Sequence, residues 1–535
     1  RPLRSIAAIF NNTRLFFKFD HLESTDHIFI EQGLDIKTKK IKNFKEYVSI
    51  LKSNNIFLDQ NQREKIILNK IESFSKLKNY KNTINHQLLE EVVNIVENPN
   101  ILLIAFDKEY LKIPQEIIIS TLEKHQKYFP TFDNKGKLTN NFFVIANKKD
   151  EKKFIREGNQ RVVEARLADA KFFWDKDKSR NLIKQIANLK NIMFYEKLGT
   201  VYDKVQRLRK LAALLSDDLN MNKEKIQISA SISKSDLCSD LVGEYPELQG
   251  VMGKYFALSQ GFEEDVANSV SDHYLPTGLT SDVPKKPFSY AISIVDKIDT
   301  LVGFFIIDEK PSSSKDPYAL RRAAVGLLRV IIENKLSFRL RDIIIYSIRL
   351  YQDQNVLIMN EKTEYEVLDF MKERMRNIFK LKKIKPDIIE ASISSHVGDN
   401  FLDLYKKTIL INKYINREIG VNAVNTYKRA ANIIDKADKK ITGRPDAVLF
   451  RKDEEKLLYE KINEIRKAFT MKESHKDYEN LLIKLSDTKE STDNFFDNVV
   501  VNDENQDIKN NRLELLKMFC NTFDNFIDFS KLEGL

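Results

Sequence analysis

The residues of this chain with the chemistry to act on phosphate esters are a histidine and several carboxylates in its central third. His273 directly follows Asp272, and Lys234-Ser235-Asp236 and the pair Asp296/Asp299 supply further acidic groups. Metal-assisted hydrolysis needs several such ligands that converge on one ion. Because His273 is the one histidine in this part of the sequence, we expect no metal site. We expect His273 itself to lie at a helix end or on the surface.

A second candidate is a helix that carries arginines. Residues 315–331 read KDPYALRRAAVGLLRVI. Asp316 is a suitable N-cap and Pro317 a suitable first helical residue. Helical spacing predicts a buried face of Leu320, Ala324, Leu327 and Ile331. It predicts an opposite face of Tyr318, Arg322, Gly326 and Arg329.

The two arginines of the second face have two interpretations. Arg322 and Arg329 either bind phosphate groups through paired hydrogen bonds or pair with nearby carboxylates inside a core helix. Gly326 costs the helix about 1 kcal/mol relative to Ala. We expect the close approach of another backbone, of protein or RNA, to compensate for it.

Length and composition limit the class of protein. With 535 residues, the chain is long enough for three or four domains. It has 42% hydrophobic residues and only two cysteines, which favours a folded protein of a reducing compartment such as the cytoplasm. No apolar run approaches the roughly 18 residues of a membrane span. The net charge of +10 makes nucleic acid a reasonable partner.

The predicted secondary structure that positions these residues changes along the chain. Two short apolar runs around Asn11-Asn12 indicate a hairpin. We predict helices over 45–77, 88–96 and 114–125, and strands over 101–106 and 142–146, so the first ~165 residues are predicted α+β. From Glu164 onward, helical periodicity dominates to the end of the chain. The fold class is therefore multidomain and predominantly α, with an N-terminal α+β part.

At this point the sequence resembles a known family. KDPYALRRAAVGLLR resembles a motif of the beta subunits of bacterial glycyl-tRNA synthetases of the α2β2 type. Further motifs follow in the family's order over nearly the whole chain: QKYFP at 126–130, RLADAKFF at 166–173, LGT at 198–200 with Lys204 and Arg207, SKSDL at 233–237, QGVMG at 249–253, DKIDTLVG at 296–303, FFDNV at 495–499 and NRLELL at 511–516.

The resemblance implies an architecture. It divides the chain into a B3/B4-like α+β region over 1–165, an HD-like helical domain over 166–345, a helical linker over 346–424, and a DALR-like anticodon-binding bundle over 425–535. Arg1-Pro2 matches an interior point of the family, so the resemblance implies a further upstream region. The family's Gly-His-Arg-Phe is replaced by Asp26-His27-Ile28-Phe29, so we transfer no RNA-binding or editing role there.

The resemblance also implies a function. The chain is expected to bind and position tRNA for glycine as one subunit of glycine–tRNA ligase. The partner alpha subunit would bind ATP and Mg²⁺ and carry the catalytic site, with no cofactor or catalytic residue in this chain. The cations proposed to contact RNA are Arg207, Lys234, Arg322, Arg329, Lys428, Arg429 and Arg512. The alternative is a metal-dependent phosphohydrolase of HD type, which the single central histidine disfavours.

Overall fold

The computed structural model describes residues 3–32, 35–81, 83–278, 280–312, 315–395, 399–437, 441, 443–469 and 477–532. The chain forms two compact units. Unit 1 consists of Arg1–Ser179 with Asp240–Leu248, and unit 2 of Arg180–Ser239 with Gln249–Leu535. The expectation of an upstream region rests on Arg1-Pro2, which lies outside the described residues.

The strands lie almost entirely in unit 1. Within the described residues they are β1 Ile6–Ala7, β2 Ile9–Phe10, β3 Thr13–Arg14, β4 Lys18–Phe19, β5 Leu22–Thr25, β6 His27–Gln32, β7 Asp35–Lys40, β8 Tyr80–Lys81, β9 Asn100–Ala105, β10 Phe129–Asp133, β11 Leu138–Ala146, β12 Met193–Tyr195 and β13 Gly199–Thr200.

Helices make up most of the rest of the described chain. They are α1 Phe44–Ser53, α2 Gln60–Lys78, α3 His86–Ile95, α4 Gln115–Ser120, α5 Phe154–Lys178, α6 Leu182–Gln185, α7 Val201–Asp218, α8 Lys223–Ile232, α9 Asp240–Glu244, α10 Val251–Ser259, α11 Glu264–Asp272, α12 Pro287–Ile306, α13 Leu320–Glu333, α14 Leu340–Asp353, α15 Thr363–Leu381, α16 Pro386–Ser394, α17 Phe401–Tyr414, α18 Glu418–Asp435, α19 Asp453–Phe469, α20 Tyr478–Ser486, α21 Thr488–Asn498 and α22 Gln506–Asp524. None of the described helices is both long enough and apolar enough to cross a membrane.

Unit 1 is built on a four-stranded antiparallel sheet with strand order β8-β10-β11-β9. The predicted strands over 101–106 and 142–146 are neighbours in it, with Phe142 opposite Ile104. Helices α2 and α3 bury Ile67, Leu89 and Val92 against Phe143 of the sheet. Asx side chains begin these helices, as expected for N-caps: Asp59 accepts from the Asn61 N–H and Asn85 from the Gln87 and Leu88 N–H groups.

The hairpin predicted at Asn11-Asn12 is confirmed. Strands β2 and β3 pair across these two residues, whose φ values are 50° and 64°. Two left-handed residues in a two-residue loop match the twist of antiparallel strands, and asparagine tolerates this conformation better than most residues do.

Unit 2 is organised around helix α12. Fifteen of its 20 residues are buried, because α7, α8, α11, α13, α14 and α15 all pack on it. A helix covered on every side needs apolar residues around its whole circumference. Any charged residue on it must then find its partner inside the protein.

The last five helices form a bundle within unit 2. Helix α18 packs on α20, α21 and α22, and α19 packs on α21 and α22. Phe495 and Phe519 are fully buried there, while Phe496 is half-buried.

Three of the predicted domain boundaries fall inside helices. Residue 165 lies inside α5, and unit 1 continues to Ser179. The boundaries at 345/346 and 424/425 lie inside α14 and α18. A change in sequence pattern locates a change of environment, but it does not reveal that one helix continues across it.

Candidate nucleic-acid interface

Charged residues of the central third form one buried cluster around α12. The first turn of α7 is fixed by a capping box in which Thr200 and Asp203 bond each other's backbone N–H groups. Lys204 and Arg207 follow three residues apart, so they share one face of α7. Both point at α12, and they are only 4% and 1% exposed.

Arg207 and Asp299 form a two-pronged ion pair at the centre of this cluster. The Arg207 Nε donates to Asp299 Oδ1 at 2.7 Å, and Nη2 donates to Oδ2 at 3.1 Å. The Tyr351 hydroxyl lies 3.0 Å from the same Nη2. Although burial opposes it, the Arg207 guanidinium and the Lys204 ammonium hold the pKa of Asp299 below its usual value.

Asp296, one turn earlier on α12, receives two lysines. Lys204 Nζ lies 3.1 Å from its Oδ1 and Lys234 Nζ 3.1 Å from its Oδ2. Burial alone would raise the pKa of Asp296, but these ammonium groups hold it well below its usual range. The carboxylate is therefore ionised at neutral pH and neutralises part of the lysine charge.

The sequence predicts His273 at a helix end or on the surface. The surface position is wrong, because the side chain is buried. It ends helix α11 as expected but is 0% exposed. Its Nδ1 lies 3.1 Å from the Ser269 carbonyl oxygen and its Nε2 2.7 Å from Lys234 Nζ. The neutral ring fits both partners, with Nδ1–H donating and Nε2 accepting. Burial, aided by Lys234, holds the pKa of His273 well below its usual value.

Metal binding does not fit these contacts. The Nε2 lone pair of His273, which a metal ion would need, accepts from Lys234 instead. No three His, Cys, Asp or Glu side chains are grouped in a metal-binding arrangement in the described part of the chain. The charged residues of this cluster form ion pairs that hold neighbouring helices together.

The contacts of Asp236 explain why the QGVMG motif at 249–253 contains two glycines. Its Oδ2 accepts from the Gly250 N–H at 2.5 Å and the Gly253 N–H at 3.2 Å. A Cβ on Gly253 would lie 2.5 Å from Val270 Cγ1 and 3.0 Å from Asp236 Cγ. Gly250 adopts φ +78°, a conformation that favours glycine. The motif thus serves close packing.

Three of the seven predicted RNA-contacting cations lie in the interior. Arg207 and Lys234 belong to the buried cluster, at 1% and 6% exposure. Arg512, at 4%, donates to Glu455 at 2.8 Å and to Asp503 at 2.7 Å. Their charges are satisfied by carboxylates of the same unit, so we do not place these three at an RNA surface.

Helix α13 begins later than predicted. It starts at Leu320, and Ala319 at φ 55° precedes it. Asp316 still caps the helix from outside, since its carboxylate accepts from the Leu320 N–H at 2.8 Å and the Arg321 N–H at 3.0 Å. The prediction of Pro317 as first helical residue is wrong, because residues 316–319 form a turn that brings Asp316 back under the helix end.

The faces of α13 are only partly as predicted. Leu320, Ala324, Leu327 and Ile331 are buried as expected, but Gly326 is buried too. A Cβ on Gly326 would lie 3.2 Å from both Lys297 Cε and Pro276 Cγ. The nearest approaches to this glycine therefore come from the side chains of Lys297 and Pro276.

Four of the predicted cations remain at the surface of unit 2. Arg322 is exposed and has no hydrogen bond or ion pair with any described residue. Arg329 is half-buried, and its Nε donates to Glu333 at 2.9 Å. On α18, Arg429 donates to Asp493 at 2.8 Å and lies 4.6 Å from the centre of the Phe496 ring. Lys428 beside it is half-buried.

A cleft in the C-terminal bundle was not predicted from the sequence. Its cavity of about 790 Å³ is lined from α17, α19, α20 and the residue after α22. Asn463, Arg466 and Lys467 of α19 line it together. Their spacing of three and four residues puts them on one helix face, a signal that the sequence already carried.

The family is decided by comparison with known proteins. A family model described as glycyl-tRNA synthetase beta subunit matches residues 1–394. The chain belongs to the glycyl-tRNA synthetase beta subunit family. A second model, described as DALR anticodon binding domain, matches residues 424–532, which include α19–α22 and most of α18.

Individual members of the family are similar over the whole chain. The glycine–tRNA ligase beta subunit of Rickettsia felis is 36% identical over 535 residues, which cover 99% of this chain and 78% of the relative. Those of Rickettsia canadensis and Rickettsia africae are 36% and 35% identical, with the same coverage. Arg322 and Arg329 lie in the beta-subunit match, and Lys428 and Arg429 in the anticodon-binding match.

Proposed function

We propose that this chain is the tRNA-binding subunit of a glycine–tRNA ligase. The observation that carries the proposal is the anticodon-binding match over 424–532, which follows a beta-subunit match over 1–394 in one chain. The chain recognises tRNA for glycine and positions it. An alpha subunit, in an α2β2 assembly, activates glycine with ATP and Mg²⁺ and transfers it in the cytoplasm.

The chemistry of the described residues supports a binding and positioning role. The buried His273, Asp296 and Asp299 are engaged with lysines and an arginine, so they are not available as acid or base. Positioning a substrate end can itself lower a barrier by several kcal/mol. This role needs a rigid frame, which the charge cluster around α12 provides.

The finer architecture is part of the same proposal. Unit 1, with its four-stranded sheet, is the B3/B4-like region, and the helices packed around α12 are the HD-like domain. Helices α18–α22 are the DALR-like bundle. Two of these assignments, B3/B4-like and HD-like, rest on the sequence resemblance.

The proposed RNA contacts are the four surface cations Arg322, Arg329, Lys428 and Arg429. Arg322 is the strongest of them, because no described carboxylate competes for its guanidinium. The carboxylates beside Arg329 and Arg429 must be displaced or shared when a phosphate binds. Phosphate neutralisation by these groups makes binding weaken as salt concentration rises.

The test combines the purified chain with an alpha subunit and measures glycine charging of tRNA. Charging should need both subunits. Arg322→Ala with Lys428→Ala should raise KM for tRNA and leave KM for glycine and ATP unchanged, because the two cations contact RNA only. Lys335→Ala, at a surface position outside the proposed contacts, is the matched control. Charging by the alpha subunit alone at the same rate would refute the proposal.

A further inference from the structure

Strand β7 and the start of helix α1, both in unit 1, carry a run of exposed lysines. They are Lys37, Lys39, Lys40, Lys42 and Lys45. Lys40 Nζ lies 3.1 Å from the Asp26 carboxylate. The other ammonium groups of the run form no ion pair with any described residue, so they are available to an anionic partner.

The structure of the strand and helix does not account for the whole run. Lysines on an exposed edge strand can serve only to prevent pairing with other strands. That purpose fits Lys37 and Lys39 of β7, but Lys42 and Lys45 follow the strand. Lys45 lies in the first turn of α1, where the partial positive charge of the helix end makes a cation unfavourable.

The residues between Lys42 and Lys45 line a cavity of about 790 Å³. Phe29, Phe44 and Tyr47 contribute aromatic rings to it. The Phe44 and Tyr47 ring centres are 6.3 Å apart, and Phe44 and Phe29 are 72% and 52% exposed. A cavity of this size can hold one nucleotide, since ligand sites span roughly 300–1,000 Å³. Exposed rings beside cations are how proteins hold single-stranded bases.

The cavity also contains a polar group that can recognise a base. His27 lines it, and the His27 Nδ1 lies 2.6 Å from the same Asp26 carboxylate that pairs with Lys40. Because Nδ1–H donates to Asp26, Nε2 is an acceptor. This Nε2 has no hydrogen bond within the described part of the chain, so it can accept from the exocyclic amino group of a base.

We propose that this face of unit 1 binds the unpaired 3′ end of the tRNA. The lysines contact its phosphates, and one base enters the cavity against the Phe44 ring. The inference rests on the proposed function and deepens it. The anticodon-binding match lies at 424–532, so the 3′ end is the other unpaired segment of tRNA that needs a site. An acidic peptide would pair with the lysines and leave the ring-lined cavity empty.

The test measures binding of two fluorescent RNA hairpins to the full chain. One is the acceptor stem of a glycine tRNA with its single-stranded 3′ tail, and the other is the same stem with a blunt end. The unaltered chain should bind the tailed hairpin at least about fivefold more tightly, the least expected for one stacked base.

Phe44→Ala should remove most of this preference for the tailed hairpin. Phe154→Ala is the matched control and should keep the preference. Phe154, like Phe44, is the exposed first residue of a helix in unit 1, but it lies outside the cavity.

The lysines have a separate readout in the salt dependence of binding. Lys37→Ala/Lys39→Ala should lower the slope of log Kd against log salt concentration by about 1.4, because each phosphate contact on a single strand contributes about 0.7. Lys65→Ala/Lys70→Ala removes equal charge from exposed positions of α2 and should leave the slope unchanged.

Three outcomes would count against the proposals. If the chain binds tRNA but binds tailed and blunt hairpins equally, or if Phe44→Ala behaves as Phe154→Ala does, this inference is wrong and the proposed function stands. If the chain does not bind tRNA at all, the proposed function fails. If a polyglutamate peptide binds the unaltered chain more tightly than the tailed hairpin and Lys37→Ala/Lys39→Ala abolishes that binding, this face docks a protein and the inference is overturned.

Discussion

Asp299 is the fully buried carboxylate at the centre of the charge cluster. It faces both Arg207 and Lys204, and its own exposure is 0%. Removing one member of a buried ion pair leaves the others desolvated and unpaired, which costs about 3–5 kcal/mol. The cluster is therefore a strict requirement of the fold even if its net contribution to stability is small.

We expect Asp299→Ala to lower the free energy of unfolding by about 3–5 kcal/mol in urea titrations. Asp217→Ala, an exposed aspartate at 68% side-chain exposure, should change it by less than about 0.5 kcal/mol. Adding Arg207→Met to Asp299→Leu should recover part of the loss, since the pair of charges is then absent together. Equal effects of Asp299→Ala and Asp217→Ala would contradict the role assigned to the cluster.

His273 gives the stability of unit 2 a pH dependence. The folded pKa of His273 is far below its ordinary value of 6.5, chiefly through burial. Below pH 6.5 the unfolded chain takes up a proton that the folded chain does not. Stability from this group is fully present above that pH and is lost as pH falls, by about 1.4 kcal/mol per pH unit.

The measurement compares urea unfolding at pH 7 and pH 5.5 for the unaltered chain and His273→Gln. The variant should lose about 1–1.5 kcal/mol less than the unaltered chain over this interval. His86→Gln, at an exposed position, should keep the original dependence. Identical pH profiles for the chain and His273→Gln would show that this histidine is not held neutral.

The sequence alone could not separate buried cations from surface cations. Arg207 meets Asp299 across 92 residues and Arg512 meets Glu455 across 57. Charge in a motif is visible in the sequence, but a distant carboxylate partner is not. Both arginines were therefore predicted as RNA contacts and are instead internal.

Among the helices, α13 is capped by Asp316, which precedes the first residue of the helix by four positions. Asp316 accepts from two backbone N–H groups of its first turn, which would otherwise lack partners. Asp316→Ala should lower the free energy of unfolding by about 1 kcal/mol. Asp353→Ala, at the exposed C-terminal end of α14, should change it by less than about 0.5 kcal/mol. A loss below that limit for Asp316→Ala would contradict the capping role.

Regular elements were the most predictable part of the fold. The hairpin, the strands of the central sheet and the helix at 88–96 follow from period and turn residues. The single helix predicted over 45–77 is wrong, because the chain leaves the helix after Ser53 and α2 begins at Gln60 behind the N-cap Asp59. The start of α13 was not predictable either, since Asp316-Pro317 satisfies every local rule for a helix start. The left-handed Ala319 and the turn before it are set by tertiary packing, which local sequence does not encode.

At the scale of the whole molecule, unit 1 is discontinuous. The segment 240–248 belongs to it and closes it through polar contacts. Asp177 Oδ2 accepts from the Leu241 N–H at 2.8 Å, and the Thr121 and Tyr245 hydroxyls lie 3.1 Å apart. The sequence of residues 1–179 alone does not predict that nine residues from further along the chain complete this unit.

A fragment of residues 1–179 should therefore be less stable than the same fragment with 240–248 joined by a flexible linker. We expect the midpoint of thermal unfolding, followed by circular dichroism, to rise by several degrees when the segment is added, because a 1 kcal/mol gain shifts Tm by about 2–4 °C at this size. A scrambled 240–248 segment is the control. Equal midpoints for native and scrambled segments would contradict the role of this segment in unit 1.

Segment 240–248 also affects when unit 1 can complete its folding during synthesis, because it is made later than residues 1–179. Leu248 is synthesised roughly 70 residues after Ser179, a delay of about 4–14 s at roughly 5–20 residues per second. During that interval the surface that will receive Leu241 and Tyr245 stands uncovered at the ribosome. Unit 1 thus cannot be finished until residues 180–239 of unit 2 have also been made, and chaperones that shield nascent chains have a defined window in which to act on it.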